Sequence, residues 1–404
     1  MARNIITGID IGSSSIRVVV AEKTKNGGLN IIAASKKDSE GIRRGYVTSM
    51  EDAARSIKSA IKSVEKSSGI SIKSAAISVS GISLGSARSK AMIRTSKADG
   101  EITDHDIKRL VAQSEANITN VSNKSIIHSV PLFFKVDNNL VNGKPTEMKG
   151  SKIEVETFFA TYLNIHLTEL IKTVERVGII IEDIVASPFA MSYAALTRQQ
   201  KETGCVLANI GSSTVSIIVF EEGLPISLEV FPIGSSHITN DIALGLQVPL
   251  GEAESIKLQY GTEAESQSKK KISDISNMVE SRLDDIFEMI EEHLKKISRN
   301  RILPAGIILT GSGSNLFNVD EFARARLKLP AKVGAFLPPK SYPVSISATP
   351  PNFKEHMLND PGWTTAIGLC LYKSNEESAG YDGGRSENLK IIKNIKKWLK
   401  TLMP

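Results

Sequence analysis

The chain writes one strand-turn-strand unit twice. Residues 8–22 read Gly-Ile-Asp-Ile-Gly-Ser-Ser-Ser-Ile-Arg-Val-Val-Val-Ala-Glu, and residues 207–221 read Leu-Ala-Asn-Ile-Gly-Ser-Ser-Thr-Val-Ser-Ile-Ile-Val-Phe-Glu. At this offset of 199 residues, six of fifteen positions are identical and five more are conservative. A unit repeated half a chain apart points to two related halves. One conservative change matters chemically: Asp10 is matched by Asn209, so only the first copy carries a charge.

With 404 residues the chain has room for two or more domains with proper cores. Cys205 and Cys370 each lie in an apolar run without a pairing pattern, which predicts buried free thiols in a reducing compartment. The histidines at 105, 128, 166, 237, 293 and 356 are scattered, so no histidine metal site is expected. The residues before Gly8 are too few for a signal-peptide core, and no run of about 18 apolar residues exists, which predicts a cytoplasmic chain. The net charge of +6 is concentrated at the end: from Arg385 onward six cations and one anion give +5, leaving +1 for the other 384 residues. A nucleic-acid-binding body is not supported.

Each repeat predicts a hairpin, with strands at 5–11 and 16–22 in the first copy and at 206–210 and 215–221 in the second. A strand from Leu29 to Ala33, a helix at 50–66 with Ile57, Ala60, Ile61 and Val64 on one face, and a strand at 75–79 complete the first unit. Thr103 caps a helix reaching about 117, and strands at 125–136 and 153–164 follow. That block interrupts the repeat, which predicts an inserted subdomain at 82–165 between first-lobe pieces 1–81 and 166–198. The second lobe is expected at 199–234 and 305–372, with a smaller subdomain at 235–304. Within it, Ile275, Met278, Val279, Leu283, Ile286, Phe287, Ile290 and Leu294 recur at helical spacing over about 274–297. Residues 373–388 read as a flexible linker.

A glycine- and serine-rich turn offers backbone N–H groups and hydroxyls to phosphate oxygens. One such turn also suits a plain hairpin; two in corresponding places would close on one phosphate chain from both sides. A third turn after a strand, Leu309-Thr-Gly-Ser-Gly-Ser314, would floor a base and sugar.

These motifs resemble the actin-like ATPase superfamily: Gly8–Gly12 its first phosphate motif, Asn209–Thr214 its second, Ile308–Ser314 its adenosine motif, and 186–196 and 364–368 its connecting motifs. The stretch His237-Ile-Thr-Asn-Asp-Ile-Ala-Leu-Gly-Leu-Gln-Val-Pro249, with 253–261, Asp183-Ile-Val185 and the insertion, is similar to the FtsA family of bacterial cell-division proteins, over nearly the whole chain. The resemblance implies an α/β, two-lobed actin-like fold of duplicated ribonuclease-H-like domains. It implies ATP and Mg2+ as ligands. Asp10, Gly12, Ser13, Ser14, Ser15, Asn209, Gly211, Ser212, Ser213 and Thr214 would bind phosphate, and Asp10 would orient water around Mg2+. Glu254, Lys257, Gly311, Ser312 and Gly313 would hold adenosine. On residue chemistry alone Asp10 equally suits a turn former, and Glu254 with Lys257 an exposed ion pair.

The departures concern hydrolysis. The family's second phosphate motif begins with Asp, continues with glycines and carries another Asp where Ser216 stands; Ser312 replaces a glycine of the adenosine loop. Asn and Ser are not competent general bases. ATP is therefore expected to bind as a conformational ligand, with slow or no hydrolysis.

From Leu389, a helical wheel gathers Leu389, Ile391, Ile392, Ile395, Trp398, Leu399, Leu402 and Met403 into one half-turn, opposite Lys390, Lys393, Lys396, Lys397 and Lys400. At roughly 22 Å this helix is too short to span a bilayer. It is suited to lie on anionic lipid; packing on its own domain, or service as a calmodulin-type target, are the other readings. The resemblance makes it an anchor that tethers polymers of FtsZ, held through their C-terminal peptide, to the inner face of the cytoplasmic membrane at midcell. It also implies self-association into filaments and recruitment of later division proteins. An actin-fold sugar kinase and a pilus-assembly adaptor are the alternatives; Asn209 removes the kinase's obvious carboxylate.

Overall fold

β-Branched side chains hold the two hairpins extended. In the computed structural model, which describes residues 4–24, 28–119, 123–260, 269–336, 344–346 and 355–374, Ile5–Ile11 (β1) runs antiparallel to Ser15–Lys23 (β2). Both faces of the pair are covered, so its apolar run is nearly continuous rather than alternating. Leu29–Asp38 (β3) adds to β2 and outlasts its apolar start, because polar Ser35 is held by a 2.7 Å bond to Ala60 O. A small ribbon, Ile42–Arg43 (β4) with Tyr46–Val47 (β5), leads to Met50–Ser68 (α1). Ser49 caps α1, and Ala53, Ile57, Ala60, Ile61 and Val64 bury its apolar face. Ser74–Val79 (β6) then returns parallel to β1.

Gly85–Arg94 (β7), Asp104–Ala116 (α2), Lys124–Val136 (β8), Asn139–Val141 (β9) and Lys152–Leu163 (β10) form a unit of their own. Its sheet runs β7-β10-β8-β9, and its core is Ile102, Ile107, Leu110, Phe134, Val136, Ile153 and Val155. Thr103 and Asp106 bond reciprocally at the start of α2. This sheet also reaches the second half. The Ser86 hydroxyl donates to Leu228 O at 3.0 Å and accepts from Leu228 N at 2.9 Å, and Arg88 Nε donates to Ile226 O at 3.1 Å.

Asn164–Arg176 (α3), Ile180–Ala186 (β11), Ser187–Ala195 (α4) and Arg198–Thr203 (α5) lead to the second hairpin, Cys205–Ile210 (β12) with Val215–Glu221 (β13). Leu224–Phe231 (β14), Ser235–Leu246 (α6), Leu250–Gln259 (α7), Lys269–Lys296 (α8), Ile307–Thr310 (β15), Val319–Leu327 (α9), Ala331–Val333 (β16), Val344–Ile346 (β17) and Thr364–Ser374 (α10) complete the described chain. The first sheet runs β11-β6-β1-β2-β3-β17 and the second β16-β15-β12-β13-β14. Setting β17 aside, the two five-strand arrays match: β6 is parallel to β1 as β15 is to β12, and β3 antiparallel to β2 as β14 is to β13. The duplication in the sequence is thus a duplication of topology.

Two segments expected within the second lobe, 305–372, lie elsewhere. β17 pairs parallel with β3 of the first sheet, and α10 packs on β1, β2 and α4. A short, uniformly apolar segment carries no periodicity that names its sheet, and Ala366, Ile367, Leu369, Cys370 and Leu371 are all buried.

The second core has Val279, Leu283, Ile286, Phe287, Ile290 and Leu294 of α8 at its centre. Glu291, buried on the same helix, accepts from Arg326 Nη1 at 2.7 Å and lies 3.1 Å from Lys295 Nζ, tying α8 to α9. The bond from Arg326, then Lys295, pulls its pKa from 4.5 to about 2. Because the folded pKa lies below the unfolded one, this stability is present above about pH 4.5 and is lost as pH falls toward 2. Glu291→Gln should cost about 2 kcal/mol at pH 7 in urea unfolding, with the difference from wild type shrinking on acidification.

Candidate functional site

The two repeated turns close by the same bond. Gly12 N donates to Ser15 O at 3.2 Å, and Gly211 N to Thr214 O at 3.0 Å. A Cβ on either glycine would lie 2.9 Å from that acceptor, so the closure itself demands glycine. Both turns stand at the carboxyl end of a strand with a parallel neighbour, the place where α/β sheets open a crevice.

In the first hairpin Asp10 lies directly opposite Arg17, which puts both side chains on one face. Asp10 therefore belongs to the strand rather than to the turn, which settles its turn-former reading against it. Its Oδ1 accepts from Ser78 Oγ at 2.9 Å, and Ser78 Oγ accepts from Ile11 N at 3.0 Å. Burial raises the Asp10 pKa, opposed by Arg17 and by Ser78. Burial likewise lowers that of Arg17, opposed by Asp10 and Asp360. Ser13 Oγ accepts from Gly45 N at 2.9 Å and Ser14 O from Ser39 N at 3.1 Å, while the buried Ser15 hydroxyl has no partner among the described residues.

In the second hairpin the corresponding register pair is Asn209 opposite Ser216, both neutral. The Ser213 and Ser216 hydroxyls likewise lack partners among the described residues. The turn is docked on the start of α6: Ser235 N donates to Gly211 O at 2.9 Å, and Ser236 N and Oγ to Ser212 O at 2.8 and 2.7 Å. Behind it, Lys257 Nζ donates to Thr239 Oγ1 at 2.9 Å and to Glu254 Oε2 at 2.7 Å. Burial works against the Glu254 carboxylate, but the bonds from Lys257 and Thr239 prevail and lower its pKa. Lys257 is buried while Glu254 stays half-exposed, so the ion pair that spacing alone allowed is sunk at its cationic end only; α7 carries Lys257 beneath α6, where three-residue spacing could not place it.

The third turn leaves β15 through Gly311 at φ 84, where a Cβ would stand 2.1 Å from Asn209 Oδ1. Gly313 packs as closely on Ile210. Ser312 stands exposed at the rim, and its Oγ accepts from Arg17 Nη2 at 2.6 Å. It therefore crosses to the other half instead of crowding the cleft. Arg17, Ser78, Asp360 and Trp363 carry part of this site without having been singled out in the sequence. For Arg17 the signal was available: a hairpin closed at Gly12 and Ser15 necessarily sets residue 17 against residue 10.

Among the described residues no group of three or more His, Cys, Asp or Glu comes together to hold a metal. Both cysteines are buried, and burial pushes each thiol up to about 12. No helix among the described residues is long and apolar enough to cross a membrane. The tail residues from 389 onward, and all but the first two of 373–388, lie outside the described residues.

Residues 206–368 match the family model described as "Cell division protein FtsA", and residues 81–161 match "SHS2 domain inserted in FTSA". The cell division protein FtsA of Borreliella burgdorferi is 30% identical over 93% of this chain and 92% of its own length. That of Pseudomonas aeruginosa is 26% identical over 98% and 97%, and that of Bacillus subtilis 29% over 91% and 83%. Among solved structures, the PilM-PilN type IV pilus biogenesis complex aligns with a TM-score of 0.67 at 16% identity, covering 91% of this chain and 98% of that one. MreB5 of Spiroplasma citri bound to AMPPNP aligns at 0.52 and 10% identity, covering 93% and 97%. The fold is actin-like, with an SHS2 unit inserted.

Asp10→Asn leaves the buried Arg17 guanidinium without the carboxylate that faces it across the hairpin, and should lower the melting temperature at pH 7 by several degrees in thermal scans.

Proposed function

The chain belongs to the FtsA family of cell-division proteins, and from that premise we propose that it is a nucleotide-closed adaptor tying division-ring polymers to the membrane. One observation carries the nucleotide part. Partnerless buried polar atoms from both hairpins, Ser15 Oγ and Arg17 Nε on one side and Ser213 Oγ and Ser216 Oγ on the other, await acceptors or donors that the described residues do not supply. An oligophosphate between the glycine turns would meet them, and ATP has the adenosine to reach Gly311–Gly313 and the Glu254–Lys257 pair. The residues fit Mg2+ only in part: Asp10 is the carboxylate at hand and would act through water. Bound Mg2+ would offset phosphate charge.

Hydrolysis is expected to be slow. Asn209 and Ser216 can hydrogen-bond but neither takes a proton from water. Turnover well below the ordinary enzyme rate of about 10 per second, together with stoichiometric ATP retention, is the expected result for purified protein. Fast turnover would overturn the reading.

The cationic, apolar tail at 389–403 is proposed to bind anionic lipid, each lysine contributing about 1 kcal/mol near such a surface. Flotation with anionic liposomes should be lost on deleting residues 386–404. FtsZ, through its C-terminal peptide, is assigned to the small subdomain at 235–304, and self-association and later division proteins to the inserted unit at 82–165. Copelleting of FtsZ polymers with liposomes only when this protein is present would support the tether.

A further inference from the structure

The sheet of the inserted unit has two unlike faces. Ala91, Phe134, Val136, Ile153 and Val155 point into the core that Ile107 and Leu110 of α2 complete. On the other face, register sets Met92, Glu154, Lys135 and Leu140 in one row across β7, β10, β8 and β9. Lys90, Glu156 and Phe133 form the next row, and Arg94 stands beside Lys152 at the far end. The base of this face is occupied: Phe158 packs on Phe189 with ring centres 6.0 Å apart, and Arg88 reaches Ile226 O. Beyond that base the face is open, with Met92 58% and Leu140 65% exposed and with Lys90 and Arg94 exposed beside them.

Its charge is one-sided. Arg88, Lys90, Arg94, Lys135 and Lys152 share the face with two carboxylates, and both of those are engaged. Glu154 lies 2.5 Å from Lys152 Nζ, and Glu156 lies 3.2 Å from Lys90 Nζ and 3.6 Å from Arg88 Nη1, which leaves Arg94 and Lys135 without a carboxylate among the described residues. Strands about 4.8 Å apart set Met92 and Leu140 roughly 14 Å from each other across the sheet. An extended segment rising about 3.3 Å per residue covers that span in about four residues, an even step that returns its side chains to the same side. We propose that this face docks a division partner through an acidic, extended segment whose apolar side chains, about four residues apart, seat on Met92 and Leu140. This rests on the assignment of later division proteins to the inserted unit and gives that partner its chemistry. The lysine-rich tail at 389–403 is repelled by such a face. A lipid surface fits it badly, because headgroups would press on Glu154 and Glu156 in the middle while the apolar residues stand at the two margins.

The probe is a fluorescent synthetic peptide with two leucines at that spacing among glutamates; a control peptide carries lysine in place of every glutamate. Binding to the full chain is read by anisotropy, and its location by amide hydrogen exchange. Protection at 88–94 and 133–141 by the acidic peptide and not by the control is expected, with binding that weakens as ionic strength rises. Arg94→Glu with Lys135→Glu should weaken it about tenfold or more, and Met92→Ser with Leu140→Ser several-fold. Protection confined to the tail, equal protection by the control, protection of the same strands by phosphatidylglycerol vesicles, or unchanged affinity in either pair of substitutions would overturn the docking surface. Copelleting of FtsZ with liposomes does not use this face and should be unaltered in both pairs. A surface that fails with copelleting intact leaves the tether standing, whereas absence of copelleting in wild type removes the tether and leaves the peptide measurement to decide the surface alone.

Discussion

A buried guanidinium has to be met by its surroundings, and the meeting of Arg17 organises this molecule. Asp10 faces it across the first hairpin, Ser312 reaches it from the second half, and Asp360 and Trp363 arrive from the segment that returns to the first sheet. None of these neighbours is close in sequence to the others, apart from the last two. Desolvating the charge opposes folding unless all arrive together. One side chain therefore couples the hairpin, the third turn and the chain's return path.

That return path is where sequence and structure part. The duplicated hairpins, α1 with its apolar face and the capping box of α2 were legible because period and punctuation are local properties. β17 and α10 were not: neither the three residues Val344-Ser-Ile346 nor the buried apolar run of α10 carries a period that names the sheet receiving it. β7 escaped notice for another reason, since Gly-Ser-Ala-Arg-Ser-Lys is polar and its strand exists because β10 supplies a partner along its length. At the site, the glycines were legible because closure requires them. The depth of Lys257 was not, because three-residue spacing fixes a shared helix face but not what that face meets.

The uneven charge of the two repeats has a physical account in the register. Antiparallel pairing forces residues 10 and 17, and residues 209 and 216, to share a face. A lone carboxylate or a lone guanidinium there would be uncompensated, so charge is present or absent as a pair. The first hairpin keeps both members and the second keeps neither. Asn209 is further committed by Gly311, which approaches its side chain so closely that only a hydrogen fits between them. The neutral copy is thus a packing surface for the third turn.

The inserted unit has a consequence for how another chain could meet the second sheet. β14 is the outermost strand of its sheet, and bare strand margins recruit foreign strands. Here Ile226 O is already taken by Arg88, and Leu228 N and O by Ser86. At those positions a foreign strand finds no backbone partner, so a contact made there has to proceed through side-chain faces, whose specificity can be tuned one residue at a time.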